Sequence, residues 1–357
     1  MSTLALPALD FELPTHLAAQ EPPEARGLAR DDVRLMVSHV GRSVITHTRF
    51  HHFPDFLEEG DVLVVNQSAT IKAAFPARHG GTGEELRVHL STPLSDRTWV
   101  IELRRAQHTG SAPYLDGRSG ERIKLPDALE AVLIAPFIGG HQGAGSRARL
   151  WTAELSRAVD VLTYADAYGS PIRYDYVTRN WPLRYYQTVF SVVAGSAEMP
   201  SAGRPFTEET IHRLKEKRVQ IAPLVLHTGV ASLEVDESPY PERYTVPAAT
   251  AEAVNRARAH GGRVIAVGTT VVRALESVVD GRGWVRAGNG WTNLIVTPER
   301  GVHAVDALLT GLHAPRASHL LLLEAFAETE HLALAYRAAM HRNYLWHEFG
   351  DVHLIVR

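Results

Sequence analysis

Apolar residues follow two rhythms along this chain, and the change between them predicts its organisation. The first fifty residues end on one strand-like run, Ser43-Val44-Ile45-Thr46. The stretch from Phe53 to Asp61 then predicts a short helix or turn before Val62-Leu63-Val64-Val65, whose unbroken aliphatic character predicts a buried strand. From 71 to 155 the apolar runs are short: Leu86 to Leu90, Trp99 to Leu103, Ala131 to Ile134 and Ala148 to Leu155. Gly, Pro and Asp turns separate them, with Gly80-Gly81-Thr82-Gly83 read as a hairpin turn, and this spacing predicts a small all-β unit.

Beyond about Asp160 helical periods alternate with strands. Thr207, followed by Glu208 and Glu209, predicts a helix start, with the strand Ile221 to Leu226 after it. A helix from Pro247 to His260 closes on Gly261-Gly262. The strand Arg263 to Val267 follows, breaks at Gly268-Thr269-Thr270, and gives way to a helix from about Val271 to Val279. Helical stretches Ser318 to Glu328 and Glu330 to Asn343 precede a last strand, His353 to Val356. No period of 20 to 50 residues repeats, so a solenoid is not expected. The expected architecture is an α/β main domain built discontinuously from residues 1–70 and 156–357, interrupted by a β-rich insertion at 71–155.

Composition narrows the chemistry. The 357 residues are 45% hydrophobic and 22% charged, ordinary values for a soluble globular protein. The absence of cysteine excludes disulfides, thiolate zinc sites, iron–sulfur clusters and cysteine nucleophiles. Met1 to Pro14 lacks the pattern of a signal peptide, and no apolar run reaches membrane-spanning length, so a cytoplasmic protein is expected. A net charge of −3 offers nucleic acid no global attraction; a local patch would have to come from Arg104, Arg105, Arg173, Arg179 and Arg184. Nineteen histidines include no metal-binding spacing beyond a weak grouping of His347 and His353 with Glu348 and Asp351, and no metal is expected.

Ligands of α/β proteins gather beyond the carboxyl ends of strands. Three such ends carry polar groups: Asn66-Gln67-Ser68, His227-Thr228-Gly229 and Gly268-Thr269-Thr270. The paired threonines offer hydroxyls and unpaired N–H groups to a carboxylate or ribose oxygen. Arg273 and Glu276, three apart, share one side of the helix that follows. Each feature also has a structural reading: a helix cap, a hydrogen-bonded core histidine, a surface ion pair.

Read in order, longer motifs resemble one family. They are Phe11-Glu12-Leu13-Pro14; Gly60-Asp61-Val62-Leu63-Val64 with Asn66; Tyr186-Gln187-Thr188-Val189-Phe190; and Gly195-Ser196-Ala197-Glu198-Met199-Pro200-Ser201-Ala202-Gly203 with Phe206-Thr207. Leu226-His227-Thr228-Gly229, Glu242-Arg243-Tyr244 and the unbroken stretch from Gly262 to Glu276 follow. Val305 to Thr310, His313, Pro315 and Phe349-Gly350-Asp351 complete the set. This pattern is similar to that of the S-adenosylmethionine:tRNA ribosyltransferase-isomerases of queuosine biosynthesis. The resemblance implies a barrel-like α/β main domain with an inserted small β-barrel. It implies S-adenosylmethionine as a co-substrate, with no further cofactor, whose ribosyl group is moved to 7-aminomethyl-7-deazaguanine in tRNA and isomerised to an epoxycyclopentane. Within this frame His227 and Glu242 are the candidate proton-transfer groups. Tyr186 and Phe206 are candidates to stack on adenine, and Ser201, Thr207, Gly229, Thr269, Thr270, Arg273 and Glu276 are candidates to bind substrate.

Departures fall inside four of the motifs, one of them at Gly311-Leu312, where the family carries Asn-Phe. Gln67 and Ala69 stand where the family carries an acid and a base, and Pro205 and Tyr240 where it carries histidines. They leave two alternatives open: a paralogue using an adenosyl donor on another, small acceptor, and a non-catalytic RNA-binding protein on the same fold.

Overall fold

Unbroken aliphatic runs fix the centre of the molecule. Val62–Asn66 and Val264–Val267 are buried along their whole length, as strands are when both faces of a sheet are covered. The computed structural model describes residues 8–42, 44–107, 110–137, 148–230 and 239–357; Met1 to Pro7 and Ser43 of the readings above lie outside them. The two strands sit inside a nine-stranded mixed sheet. Its order is Gly288–Thr292, Glu242–Val246, Gln220–Leu226, Val62–Asn66, Val264–Val267, Ala307–Gly311, Val352–Val356, Arg34–His39 and Val44–Arg49. The four strands from Gln220–Leu226 to Ala307–Gly311 run parallel.

Alternation along one strand sorts two cores. Val62 and Val64 face Val254, Leu275 and Leu323, whereas Leu63 and Val65 face Phe50, Phe53 and Phe206. Helices Ala248–Ala259 and Thr269–Glu276 cover the first face. Thr207 caps Glu208–Glu216 by accepting from the Thr210 N–H at 3.1 Å. The helix expected at Val271 begins two residues earlier, at Thr269, and stops at Glu276. Gly268 makes the early turn possible, because its φ of 95° is open to glycine and costly for other residues. The edge strand Gly288–Thr292 and its neighbour Glu242–Val246, short and partly exposed, gave no run long enough to read.

The second sheet is built wholly from strands between Ala74 and Leu155. Six of its strands close on themselves, because Leu150–Leu155 pairs with both Glu130–Pro136 and Thr98–Gln107. Phe75, Trp99, Ile101 and Leu133 fill this barrel. Gly80 to Thr82 form the expected turn between Ala74–His79 and Glu85–Pro93. The α/β class and the small β-barrel are therefore both present.

Charges also enter the barrel. Glu102 is fully buried and accepts from Arg104 at 2.6 Å and Arg149 at 3.1 Å, with His89 Nδ1 3.3 Å from its second oxygen. Burial alone would raise the Glu102 carboxyl; the His89 contact and the two guanidiniums outweigh it and hold the group at about 2. Arg104, expected in a nucleic-acid patch, is thus 4% exposed and occupied inside the barrel.

Distant segments meet beside the main sheet. Trp346 donates its N–H to Leu17 at 2.8 Å and accepts from Ala19 at 3.1 Å. Among the described residues no helix is long and apolar enough to cross a membrane.

Candidate active site

The carboxyl ends of the parallel strands open onto one cavity of about 300 Å³. Residues 197–202, 228–230, 268–270 and 310–319 line it, together with Arg273, Glu242 and the tyrosines Tyr174, Tyr176, Tyr186 and Tyr240. Of the residues expected from sequence, Tyr186, Ser201, Gly229, Glu242, Thr269, Thr270 and Arg273 are brought together here.

Arg273 and Glu242 form one wall. The Arg273 guanidinium donates to the Glu242 carboxylate, to the Leu294 carbonyl at 3.1 Å, and to the Tyr240 and Thr292 carbonyls at 3.2 Å each. Glu242 also accepts from the Gly229 N–H at 3.2 Å. Burial pushes the Glu242 carboxyl above its ordinary range, against the pull of Arg273. The pair therefore shapes the wall and leaves Arg273 few donors for a ligand. The start of the same helix differs. Thr269 and Thr270 begin a helix whose first N–H groups lack intrahelical partners, and the buried Thr270 hydroxyl has no partner among the described residues. These groups can serve a carboxylate or a sugar hydroxyl.

Four expected residues lie outside the cavity, each for a definite reason. Phe206 is fully buried, edge-on to Phe50 and Phe53 with ring centroids 4.9 and 5.4 Å away, so it cannot stack on a base. Thr207 is occupied as a helix cap and bonds Asp31 at 3.1 Å. Glu276 does not pair with Arg273; it accepts from Arg300 at 2.6 Å and from the N–H groups of His303 and Ala304 at 2.8 and 2.7 Å. His227 packs behind the lining, its Nδ1 2.8 Å from Ser68 Oγ, in a chain that continues to Ser196 Oγ at 2.5 Å. Burial and Arg243 lower the His227 pKa. The ring occupies the space that a Cβ on Gly195 would need, 2.6 Å from Nδ1, which accounts for glycine there. Asn66 is equally structural, clamping Leu226 through its N–H and carbonyl at 3.1 and 2.8 Å.

Other groups in the cavity were not assigned to it from the sequence. Tyr174 and Tyr176 stack at 6.1 Å, and their hydroxyls donate to Glu198 and Glu348 respectively. His347 lies flat on Tyr176, 4.0 Å between centroids and 14° between planes, and its φ of 73° is unusual for a residue with a side chain. His313 and His319 stack at 4.6 Å. Burial lowers all three histidines, His319 and His347 to about 4, so they are neutral imidazoles at neutral pH. The signals were local: an alternating Tyr-Asp-Tyr, a glutamate inside a glycine-rich motif, and a His-Glu pair just before Phe349-Gly350-Asp351. At the departures, Tyr240 lines the cavity while Gln67 lends its backbone to Leu224 and Val192.

The chain as a whole is similar to known proteins. A family described as queuosine biosynthesis protein matches residues 6–355. The S-adenosylmethionine:tRNA ribosyltransferase-isomerase of Moorella thermoacetica is 34% identical, over 97% of this chain and 98% of that one. The protein of the same name from Thermus thermophilus is 36% identical, over 98% and 99%. A crystal structure of the S-adenosylmethionine tRNA ribosyltransferase of Thermotoga maritima superposes with a TM-score of 0.52, at 29% identity, covering 97% of this chain and 99% of the other. The chain belongs to the queuosine biosynthesis protein family.

Proposed function

We propose that this chain is an S-adenosylmethionine-dependent ribosyltransferase-isomerase acting on tRNA. It moves the ribosyl group of S-adenosylmethionine to the aminomethyl nitrogen of 7-aminomethyl-7-deazaguanine and rearranges it to the epoxycyclopentane, with release of adenine and methionine. The observation that carries this reading is the convergence of family segments 195–203, 226–229, 262–276 and 305–315, far apart in sequence, around a single cavity.

The chemistry requires three things of the protein. A sulfonium acidifies the neighbouring ribose C5′–H, so a basic group must stand near it while water is kept away. Ribose and methionine must be held in one orientation. The nucleobase needs a flat partner. We assign Thr269 and Thr270 to hold the donor's carboxylate or ribose oxygens, and Tyr186 to stack on a base. Arg273 and Glu242 brace the wall that places Gly229 and Tyr240, with Ser201 contributing a hydroxyl. The neutral imidazoles of His313, His319 and His347 are the proton acceptors within reach of the cavity. His227 acts from behind, by positioning the paired strands Ser68–Thr70 and Val193–Ser196. Residues 71–155 form the inserted domain, and S-adenosylmethionine and tRNA are the partners.

Incubation with S-adenosylmethionine and tRNA bearing the aminomethyl precursor, followed by nucleoside mass spectrometry, tests the reading. Epoxide in the tRNA, with adenine and methionine released, is the expected result. Donor binding with no change in the tRNA would refute it and leave a different acceptor.

A further inference from the structure

The charges around the cavity do not balance. Arg273 is paired with Glu242, and Arg316, at the rim, donates to Asp10 at 3.0 Å. The three lining histidines are neutral, as described. Glu348 stands apart from these pairs: the hydroxyl of Tyr176 donates to its carboxylate, and among the described residues it forms no salt bridge. A carboxylate partly withdrawn from water without a counter-charge is disfavoured.

The group is also held in place. Tyr176 is sandwiched between Tyr174 and the His347 ring, so its hydroxyl is fixed, and that hydroxyl fixes Glu348. The left-handed backbone at His347 turns the chain so that the ring of one residue covers Tyr176 while the carboxylate of the next reaches the same tyrosine's oxygen. Burial raises the Glu348 carboxyl, and the Tyr176 hydrogen bond opposes the rise by favouring the charged form. Arg204 pulls in the same direction more weakly, its guanidinium being bonded to Glu24 at 2.8 Å.

We infer that Glu348 is the binding partner of a primary alkylammonium group on the substrate, held to it by a charge-assisted hydrogen bond. The inference rests on the reaction proposed above, in which two such groups occur. One is the α-ammonium of the donor's methionyl end. The other is the aminomethyl group of the acceptor base. Both share the chemistry that a lone, oriented carboxylate recognises.

The test compares wild type with Glu348→Gln, which keeps the shape and removes the charge. S-adenosylmethionine and S-adenosylhomocysteine, which keeps the α-ammonium without the sulfonium and should share any loss due to it, are titrated by calorimetry beside 5′-methylthioadenosine, which lacks the amino-acid end. Precursor tRNA is titrated by fluorescence beside tRNA carrying the 7-cyano base, which lacks the amine. Glu348→Gln is expected to weaken one amine-bearing ligand by about 10- to 100-fold and its amine-free counterpart hardly at all. Loss on S-adenosylmethionine identifies the donor's ammonium; loss on precursor tRNA identifies the acceptor's. Unchanged affinity for both amines, or equal loss with and without the amine, overturns the inference. Tyr176→Phe, which keeps the ring stack, should shift the same ligand by a smaller factor, about 3- to 10-fold, and decides the matter if Glu348→Gln fails to fold. Product formation by wild type is read separately, so failure of the reaction and failure of this assignment give different results.

Discussion

Two of the carboxylates that the molecule sets against arginine differ in kind. Inside the barrel, Glu102 meets two guanidiniums and a histidine, and its pKa falls to about 2 despite complete burial. At the cavity, Glu242 meets one guanidinium, already divided among three carbonyls, and its pKa rises. The first network closes on itself and serves packing. The second leaves a polar wall that faces space, and it lies where the family segments converge. Even so, the two touch: the Arg149 guanidinium lies 5.6 Å above the Tyr240 ring, and Arg104 lies 6.0 Å from that of Tyr174.

The contrast can be broken first at Glu102. Glu102→Gln leaves two arginines facing a neutral group and should cost about 3–5 kcal/mol, read by urea denaturation. The pH dependence follows from its sign. A carboxyl that titrates lower in the folded state than its ordinary 4.5 stabilises above 4.5, and loses that contribution as pH falls toward about 2. Wild type should therefore lose stability across that window more steeply than Glu102→Gln; parallel curves would sink the assignment.

Arg273→Met comes next, at about 3 kcal/mol, because it strips the counter-charge from a buried Glu242. Weakened S-adenosylmethionine binding should accompany it in calorimetry as the wall relaxes. Full stability in this variant would mean that the cavity pair is not the brace described above. Gly195→Ala should cost about 1–3 kcal/mol, seen as a lower Tm, because the new methyl meets the His227 ring at a φ of 152°. The smallest effect on stability belongs to Thr270→Val. Removing a hydroxyl that has no partner among the described residues should move stability by less than about 0.5 kcal/mol while weakening donor binding about 3- to 10-fold. Unchanged donor affinity would take Thr270 out of the site.

Much of the fold was legible because its signals are local. Unbroken aliphatics at Val62 to Val65 and Val264 to Val267 read as strands, and both are buried along their length. Thr207 read as a cap and is one, and the turn-rich texture from 71 to 155 read as β and closes into a barrel. The site was legible only in part, because its pairings are not local. Arg273 sits three residues from Glu276, yet each pairs elsewhere, with Glu242 and Arg300, since a helix side chain answers to whatever the tertiary fold brings against it. Arg149 reaches Glu102 across 47 positions through barrel closure, which no spacing announces. Phe206 looked like a stacking platform because an aromatic in a motif gives no hint of which side of the sheet it takes.

The strap between Trp346 and the residues around Leu17 and Ala19 carries a consequence for biosynthesis. The Tyr176 wall is complete only when His347 and Glu348 arrive, and their turn is anchored to a segment translated more than 300 positions earlier. At roughly 5–20 residues per second a ribosome needs about 20–70 s to span that interval. Throughout that time the segment around Leu17 and Ala19 lacks the partner that Trp346 provides, and the wall at Tyr176 closes only as translation ends.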